Sequence, residues 1–236
     1  MPFLPIADNN PLRLIPFQAV TVGLIAINVL VWLWQSQLGE ESLWRLWLGF
    51  GVIPAVLGGE VAMPAELYQV PAWATLVTSL FLHSSFWHLG GNMLFLWVFG
   101  DNVEDATGHL KFLALYLANG VAGGLATCAL DPGSTTPGIG ASGAIAGVLG
   151  AYLMLHPRRR MLVLIMRVLP LRLHVGFVLG FWILYQIGGA FLVNGEPEND
   201  VAWWAHVGGF LAGMLLIVPL RHRDVPLFDR EIESKE

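Results

Sequence analysis

Long apolar segments alternate with short polar ones along most of this chain. Six stretches lack Asp, Glu, Lys and Arg altogether, and a helix needs about 20 apolar residues to cross the roughly 30 Å core of a bilayer. Pro71 and the polar residues up to His83 delay the helix in the second stretch, and Pro137 delays the one in the fourth. The pattern therefore predicts six transmembrane helices, at 17–37, 86–106, 110–130, 140–156, 173–193 and 202–220.

Composition agrees with this membrane class. Of the 236 residues, 56% are hydrophobic and only 12% are charged, whereas a soluble domain has roughly 25% charged residues. A single cysteine, Cys128, excludes an intrachain disulfide and a cysteine-based metal site. No charged N-terminal region precedes a cleavage site, so no removable signal peptide is expected. We expect one membrane domain at 17–220, a cytoplasmic N-terminal arm at 1–16 and a charged cytoplasmic tail at 221–236.

The basic residues predict the orientation of these helices. Every Lys and Arg except Arg45 falls on one side of the six-helix pattern, and loops rich in Lys and Arg stay in the cytoplasm. Both termini are therefore expected to be cytoplasmic, in a bacterial inner membrane.

Two apolar stretches are too short to span the membrane. Residues 46–59, in the first outer loop, are broken by Gly49, Gly51 and Pro54, which suits an element lying in the interface. Residues 161–171 are expected to lie along the cytoplasmic face.

Four polar residues interrupt the predicted helices near their outer ends. Ser142 heads the fourth helix, His206 lies one turn into the sixth, and His88 and Asn92 share a face of the second because they are four residues apart. Polar groups inside a membrane are costly and tend to be functional. Their common depth therefore predicts a functional site near the outer surface.

Small residues indicate which helices touch. Glycines recur every three or four residues on the fourth and sixth helices, and such faces let helix backbones approach closely in lipid. They are Gly143, Gly147 and Gly150 on the fourth helix, and Gly209 and Gly213 on the sixth. Packing these faces together would bring Ser142 within hydrogen-bond reach of His206, as a nucleophile and its base require.

The same region offers donors for an oxyanion. The Ser142 N–H lies at a predicted helix N-terminus, where unpaired N–H groups favour an anion, and Asn92 and His88 are natural companions. Because no carboxylate lies at matching depth, a Ser–His dyad is expected rather than a triad.

Each of these residues also has a purely structural interpretation, and a polar transport or channel site stays open on the residues alone. A zinc protease would carry His-Glu-x-x-His, which is absent. An aspartyl protease needs two intramembrane aspartates, and Asp101 has no partner. A transporter predicts repeated halves with broken helices, and no such repeat is visible.

Taken together, these motifs resemble the rhomboid family of intramembrane serine proteases. Gly140, Ser142 and Gly143 match the family's Gly-x-Ser-Gly motif, and His206 followed by small residues matches its sixth helix. His88 and Asn92 match its His-x-x-x-Asn pattern. Further matches are the upstream His83, the Trp44–Arg45 pair and the exit of the second helix at 99–108.

The resemblance implies a six-helix bundle around a water-filled cavity that opens to the outside. It implies Ser142 as nucleophile, His206 as base and then acid, and His88, Asn92 and the Ser142 N–H at the oxyanion. Gly140 and Gly143 shape the same oxyanion and substrate-binding region. It implies no metal or cofactor.

The resemblance also implies substrates and partners. Membrane-anchored proteins would be cut in or near a transmembrane helix, entering from the bilayer between the second and fifth helices, with Phe181 and Trp182 as candidate gate residues. No nucleic-acid partner is expected, and the oligomeric state stays open. Position 146 is alanine, where many members have a tyrosine that stacks on the histidine. A catalytically silent rhomboid-like protein that binds membrane clients is the alternative.

Overall fold

A computed structural model describes residues 3–165, 168–192 and 201–229. Each of the six predicted helices matches an observed helix to within two residues at either end, because the charge-free stretches mark where a helix can be buried in an apolar environment. The helices are α1 (Ala19–Gln35), α2 (Glu40–Phe50), α3 (Pro54–Leu57), α4 (Thr75–Thr78), α5 (Phe86–Thr107), α6 (His109–Leu130), α7 (Ser142–Leu155), α8 (Val175–Leu192) and α9 (Trp203–Leu220).

Three of the described helices, α6, α8 and α9, are both long and apolar enough to cross a membrane. Two others, α1 and α7, are apolar but have only 17 and 14 residues. The 22-residue α5 ends in the acidic residues Asp101, Glu104 and Asp105. The described chain is therefore mostly helical with three candidate membrane spans, and the count of six and the orientation stay predictions.

A small antiparallel sheet corrects the expectation of an all-helical protein. Strands β1 (Phe3–Asp8), β2 (Arg160–Ile165) and β3 (Leu169–His174) pair in that order. Asp8 pairs with Met161, and Arg160 pairs with His174. Alternate β2 side chains, Met161 and Val163, are buried, which is the period-two pattern of a strand with one covered face. The N-terminal arm and the apolar stretch 161–171 thus supply strands, although their pairing is non-local.

Helix α7 lies at the centre of the bundle, and every residue from Gly143 to Tyr152 is buried. Gly209 and Gly213 of α9 lie so close to the carbonyl oxygens of Gly143 and Gly147 that a methyl group would not fit. The packing of α7 against α9 that the glycine spacing predicts is therefore confirmed. It fixes the N-terminal ends of α7 and α9 side by side.

The loop between α1 and α5, predicted to be the first outer loop, contains α2, α3 and α4. A single antiparallel bridge joins Val52 to Gly138, and the Gly140 N–H donates to the Ser79 carbonyl at 2.9 Å. This loop therefore fixes the segment that leads into α7. Most of the predicted loop at 194–201, including its acidic residues, lies outside the described residues, and so does the end of the predicted tail from residue 230 onward.

Four carboxylates form a network at the end of α7 away from Ser142, and we call it the carboxylate network: Asp8, Glu104, Asp105 and Asp229. Glu104 is fully buried and accepts hydrogen bonds from the N–H groups of Val20 and Thr21 at 2.9 and 2.8 Å. Asp105 accepts from three consecutive backbone N–H groups, those of residues 13, 14 and 15.

The other two carboxylates hold α7 itself. The Tyr152 hydroxyl donates to Asp8, and His156 Nδ1 lies 3.0 Å from an oxygen of Asp229. Burial raises the pKa of Asp8 above its ordinary value, and the hydrogen bond from Tyr152 opposes part of that rise. Segments from both ends of the described chain therefore meet at the end of one central helix.

Candidate active site

Ser142 is the first residue of α7, where backbone N–H groups have no acceptor within the helix. The chain reaches this point through Gly140, whose φ of +119° is accessible to glycine and rarely to other residues. The backbone thus turns sharply at Gly140. This turn places the hydroxyl and the backbone N–H of Ser142 at the start of a buried helix.

The predicted nucleophile and base meet directly. Ser142 Oγ lies 2.8 Å from His206 Nε2, within the distance that a general base needs. His206 is on the first turns of α9, and close contact between α9 and α6 at Ala205 and Gly123 holds that turn in place. The arrangement allows the imidazole to take a proton from the hydroxyl.

The second nitrogen of His206 also has a partner, and sequence reasoning missed it. His206 Nδ1 lies 2.7 Å from Gln186 Oε1 on α8. The Trp182 ring, one turn earlier on α8, lies 5.9 Å from the imidazole by centroids. Gln186 is the polar interruption of an otherwise apolar helix, so the argument that found Ser142 and His206 could have found it.

Asn92 and His88 lie in the first turns of α5, and His83 lies three residues before that helix begins. Asn92 Nδ2 lies 2.9 Å from His83 Nε2, and His88 Nδ1 lies 3.1 Å from the Ser84 hydroxyl. The His83 and His88 rings are edge to face at 5.0 Å. Each contact leaves a further donor position on the Asn92 amide and the His88 ring, as oxyanion donors would need.

The two glycines of the motif have different surroundings. A Cβ at Gly140 would lie 2.7 Å from His88 Nε2, so glycine is needed there to let the imidazole approach the backbone. Gly143 faces Ala205 of α9 instead. Its observed contacts are those of helix packing.

A cavity of about 450 Å³ opens beside Ser142 and His206. Its walls come from α5, α7, α8 and α9, with Trp87, Asn92, Leu149 and Trp182 among them, and Leu4 of β1 also lines it. Phe181, the other residue predicted at the gate, is half-exposed and does not line this cavity. The serine therefore faces a space large enough for several side chains.

No three His, Cys, Asp or Glu side chains converge as metal ligands would in the part of the chain that the structure describes. The absence of a metal or cofactor in the working protein stays a prediction.

This chain is similar in sequence to known proteins. The rhomboid domain family model matches residues 70–223. Rhomboid protein 1, mitochondrial, from Saccharomyces cerevisiae is 33% identical over 82% of this chain and 51% of its own length. Presenilin-associated rhomboid-like protein, mitochondrial, from Rattus norvegicus is 33% identical over 85% of this chain and 48% of its own length.

A bacterial relative is similar over a shorter range. Rhomboid protease GluP from Bacillus subtilis is 32% identical over 63% of this chain and 26% of its own length. The chain thus spans about half, or less, of the length of these curated relatives. The family match covers most of the chain, including Ser142 and His206, and the chain therefore belongs to the rhomboid family.

Proposed function

We propose that this chain is an intramembrane serine endopeptidase that hydrolyses peptide bonds in or near the transmembrane segments of membrane proteins. The contact of 2.8 Å between Ser142 Oγ and His206 Nε2, beside the cavity, carries the proposal. A hydroxyl within hydrogen-bond distance of an imidazole forms the minimum set for nucleophilic catalysis.

Catalysis begins when His206 Nε2 takes the Ser142 proton as Oγ attacks the scissile carbonyl carbon. The tetrahedral oxyanion accepts hydrogen bonds from the Ser142 N–H, the Asn92 amide and His88. The imidazolium then gives its proton to the leaving amine, and an acyl-enzyme remains on Ser142. The same imidazole then takes a proton from water as the water attacks the acyl carbon, and it returns that proton to Ser142 Oγ as the acid product leaves.

The substrate class follows from the surroundings of the dyad. The cavity lies among apolar helices and is lined mostly by apolar residues, so a helix that unwinds from the bilayer suits it better than a soluble peptide. Entry runs between α5 and α8, and Trp182, which lines the cavity next to His206, acts as the gate. Phe181 is the second gate residue.

The placement in the membrane is part of the same proposal. The three candidate spans join α1, α5 and α7 in a six-helix domain with both termini in the cytoplasm, and the concentration of Lys and Arg on one side supports this orientation. The membrane is the inner membrane of a bacterial cell, although two of the relatives above are named mitochondrial.

Cleavage of a model transmembrane substrate by the purified full chain tests the proposal. Ser142→Ala removes the nucleophile and is expected to abolish cleavage and covalent labelling by a fluorophosphonate, with the unfolding temperature unchanged. Trp34→Phe serves as the control, because Trp34 is exposed near the C-terminal end of α1 and does not line the cavity. This variant is expected to leave cleavage intact. Equal cleavage by Ser142→Ala and the wild type would overturn the mechanism. A folded wild type that neither cleaves nor labels would favour the client-binding alternative.

A further inference from the structure

Gln186 is buried on α8 and touches the imidazole of His206 on the side away from Ser142. Only 1% of its surface is exposed, and its Oε1 lies 2.7 Å from His206 Nδ1. Ser142 Oγ lies 2.8 Å from Nε2 of the same ring. Both ring nitrogens are therefore engaged, one by the nucleophile and one by this amide.

The role of general base requires one particular tautomer of His206, and the two contacts fit it. His206 can accept the serine proton only at an unprotonated Nε2, and a neutral imidazole then has its hydrogen on Nδ1. An amide oxygen at 2.7 Å accepts that hydrogen. With the amide oriented as observed, the opposite tautomer would direct the Nδ1 lone pair at the amide oxygen and lose this hydrogen bond.

We propose that Gln186 is a positioning residue for His206, holding the imidazole in the tautomer and rotation that the general base requires. The inference rests on the proposed serine protease function. It assigns the orienting role, for which the sequence shows no carboxylate at matching depth, to a neutral amide.

An amide suits this place better than a carboxylate. A buried ionised carboxylate without a paired charge loses its hydration at a large cost, and charged groups within apolar helices are costly for the same reason. The Gln186 amide offers the same acceptor geometry without a net charge. The site can therefore orient its base while staying neutral in the resting state.

The position of Gln186 also links the dyad to the wall of the cavity. Gln186 follows Trp182 by four residues, so both lie on one face of α8, and Trp182 lines the cavity and lies beside the His206 ring. The orientation of the base therefore depends on where α8 lies.

The test compares two variants, the apolar Gln186→Leu and the isosteric Gln186→Glu, in the same detergent as the wild type. Leu has no acceptor, whereas Glu keeps an oxygen at the same position. Burial favours the neutral, protonated form of that carboxyl group, and its carbonyl oxygen can accept the Nδ1 hydrogen. With the transmembrane substrate, Gln186→Leu is expected to lower kcat about 10- to 100-fold, which is the effect of leaving a buried donor unpaired, and to leave KM within about twofold. Gln186→Glu is expected to keep kcat much closer to the wild-type value than Gln186→Leu does.

Val178→Ala is the matched control for a purely structural role, because Val178 is buried on α8 and does not line the cavity. It is expected to lower the unfolding temperature while kcat stays near the wild-type value. If Gln186→Leu changes only the unfolding temperature or KM, or if Gln186→Glu is no better than Gln186→Leu, Gln186 does not position His206.

A spectroscopic measurement separates this inference from the proposed function. In protein labelled with ¹⁵N-histidine, the resonances that disappear in His206→Ala belong to His206, and their shifts identify the protonated nitrogen. The wild type is expected to show hydrogen on Nδ1, and Gln186→Leu a mixture of both tautomers. This readout needs no turnover, so an inactive wild type would refute the proposed function alone. An unchanged tautomer in Gln186→Leu would refute the inference alone.

Discussion

The two ends of the helix bundle hold polar networks of opposite character. Near the start of α5, α7 and α9, neutral side chains bond to one another, as in the chain from Ser142 through His206 to Gln186. At the other end, the carboxylate network bonds mainly to backbone N–H groups, as Glu104 and Asp105 do. The neutral network orients the groups proposed to react, whereas the carboxylate network supplies acceptors for backbone N–H groups.

This difference suggests that one network serves the proposed reaction and the other serves the stability of the fold. The N–H groups at the start of a helix need acceptors, and α1 has no side-chain cap of its own, so Glu104 supplies one from a distant part of the chain. Side chains that bond only to each other can change together without exposing backbone groups. We therefore expect variants of the neutral network to lose activity and variants of the carboxylate network to lose stability.

The largest expected loss of stability comes from Glu104→Ala. It removes a fully buried acceptor and leaves the N–H groups of Val20 and Thr21 and the Thr21 hydroxyl without it, at a cost of about 3–5 kcal/mol in the free energy of unfolding. Denaturant titration in detergent measures that loss, and kcat per folded molecule is expected to stay unchanged. Glu104→Gln keeps an acceptor and should lose less. A loss below about 1 kcal/mol in Glu104→Ala would contradict the capping role.

Asn92→Ala breaks the neutral network instead. Losing one oxyanion donor is expected to lower kcat about 10²- to 10³-fold, or roughly 2.7–4 kcal/mol of transition-state stabilisation, with little change in unfolding temperature. Steady-state cleavage measures the rate. Asn102→Ala is the matched control on the same helix, because Asn102 is equally buried but bonds to the Asn10 carbonyl at the other end. The comparison fails if both variants lose activity alike or both lose stability alike.

The smallest expected effect concerns Asp8 and pH. Because burial raises its pKa above the ordinary 3.8, the folded state binds a proton more tightly than the unfolded state does. Stability from this group is therefore greatest at low pH and falls as pH rises through the window that begins near that value. Asp8→Asn keeps an acceptor for Tyr152 without titrating, so its unfolding temperature should fall less between pH 4 and 7. Parallel curves for the two proteins would exclude this contribution.

The helices and the meeting of Ser142 with His206 could be predicted because they follow from local patterns. Charge-free stretches mark the helices, and glycines at spacings of three and four mark the interface of α7 with α9. The oxyanion roles of His88 and Asn92, inferred from their common depth and from the family resemblance, remain predictions. The cavity beside them depends on how four helices pack, and no single segment encodes its volume.

What escaped prediction depends on partners that are distant in sequence. Strand β2 is as apolar as an interfacial segment, and its pairing with β3 on one side and with β1, more than 150 residues earlier, on the other makes it a strand. Gln186 looks like one polar residue in an apolar helix until His206 lies beside it. In the sequence, Glu104 and Asp105 look like ordinary charged residues at the end of a helix. Nothing in the neighbouring sequence shows that they accept hydrogen bonds from backbone N–H groups near the N-terminus.

Asp8 and Asp229, from the two ends of the described chain, both bond to side chains near the C-terminal end of α7, the helix that begins with the proposed nucleophile. Tyr152 and His156 lie at one end of α7 and Ser142 at the other, and a helix transmits displacement along its axis because its backbone bonds are continuous. A substitution that displaces Asp8 or Asp229 is therefore expected to change the position of Ser142, although both carboxylates contact the opposite end of its helix.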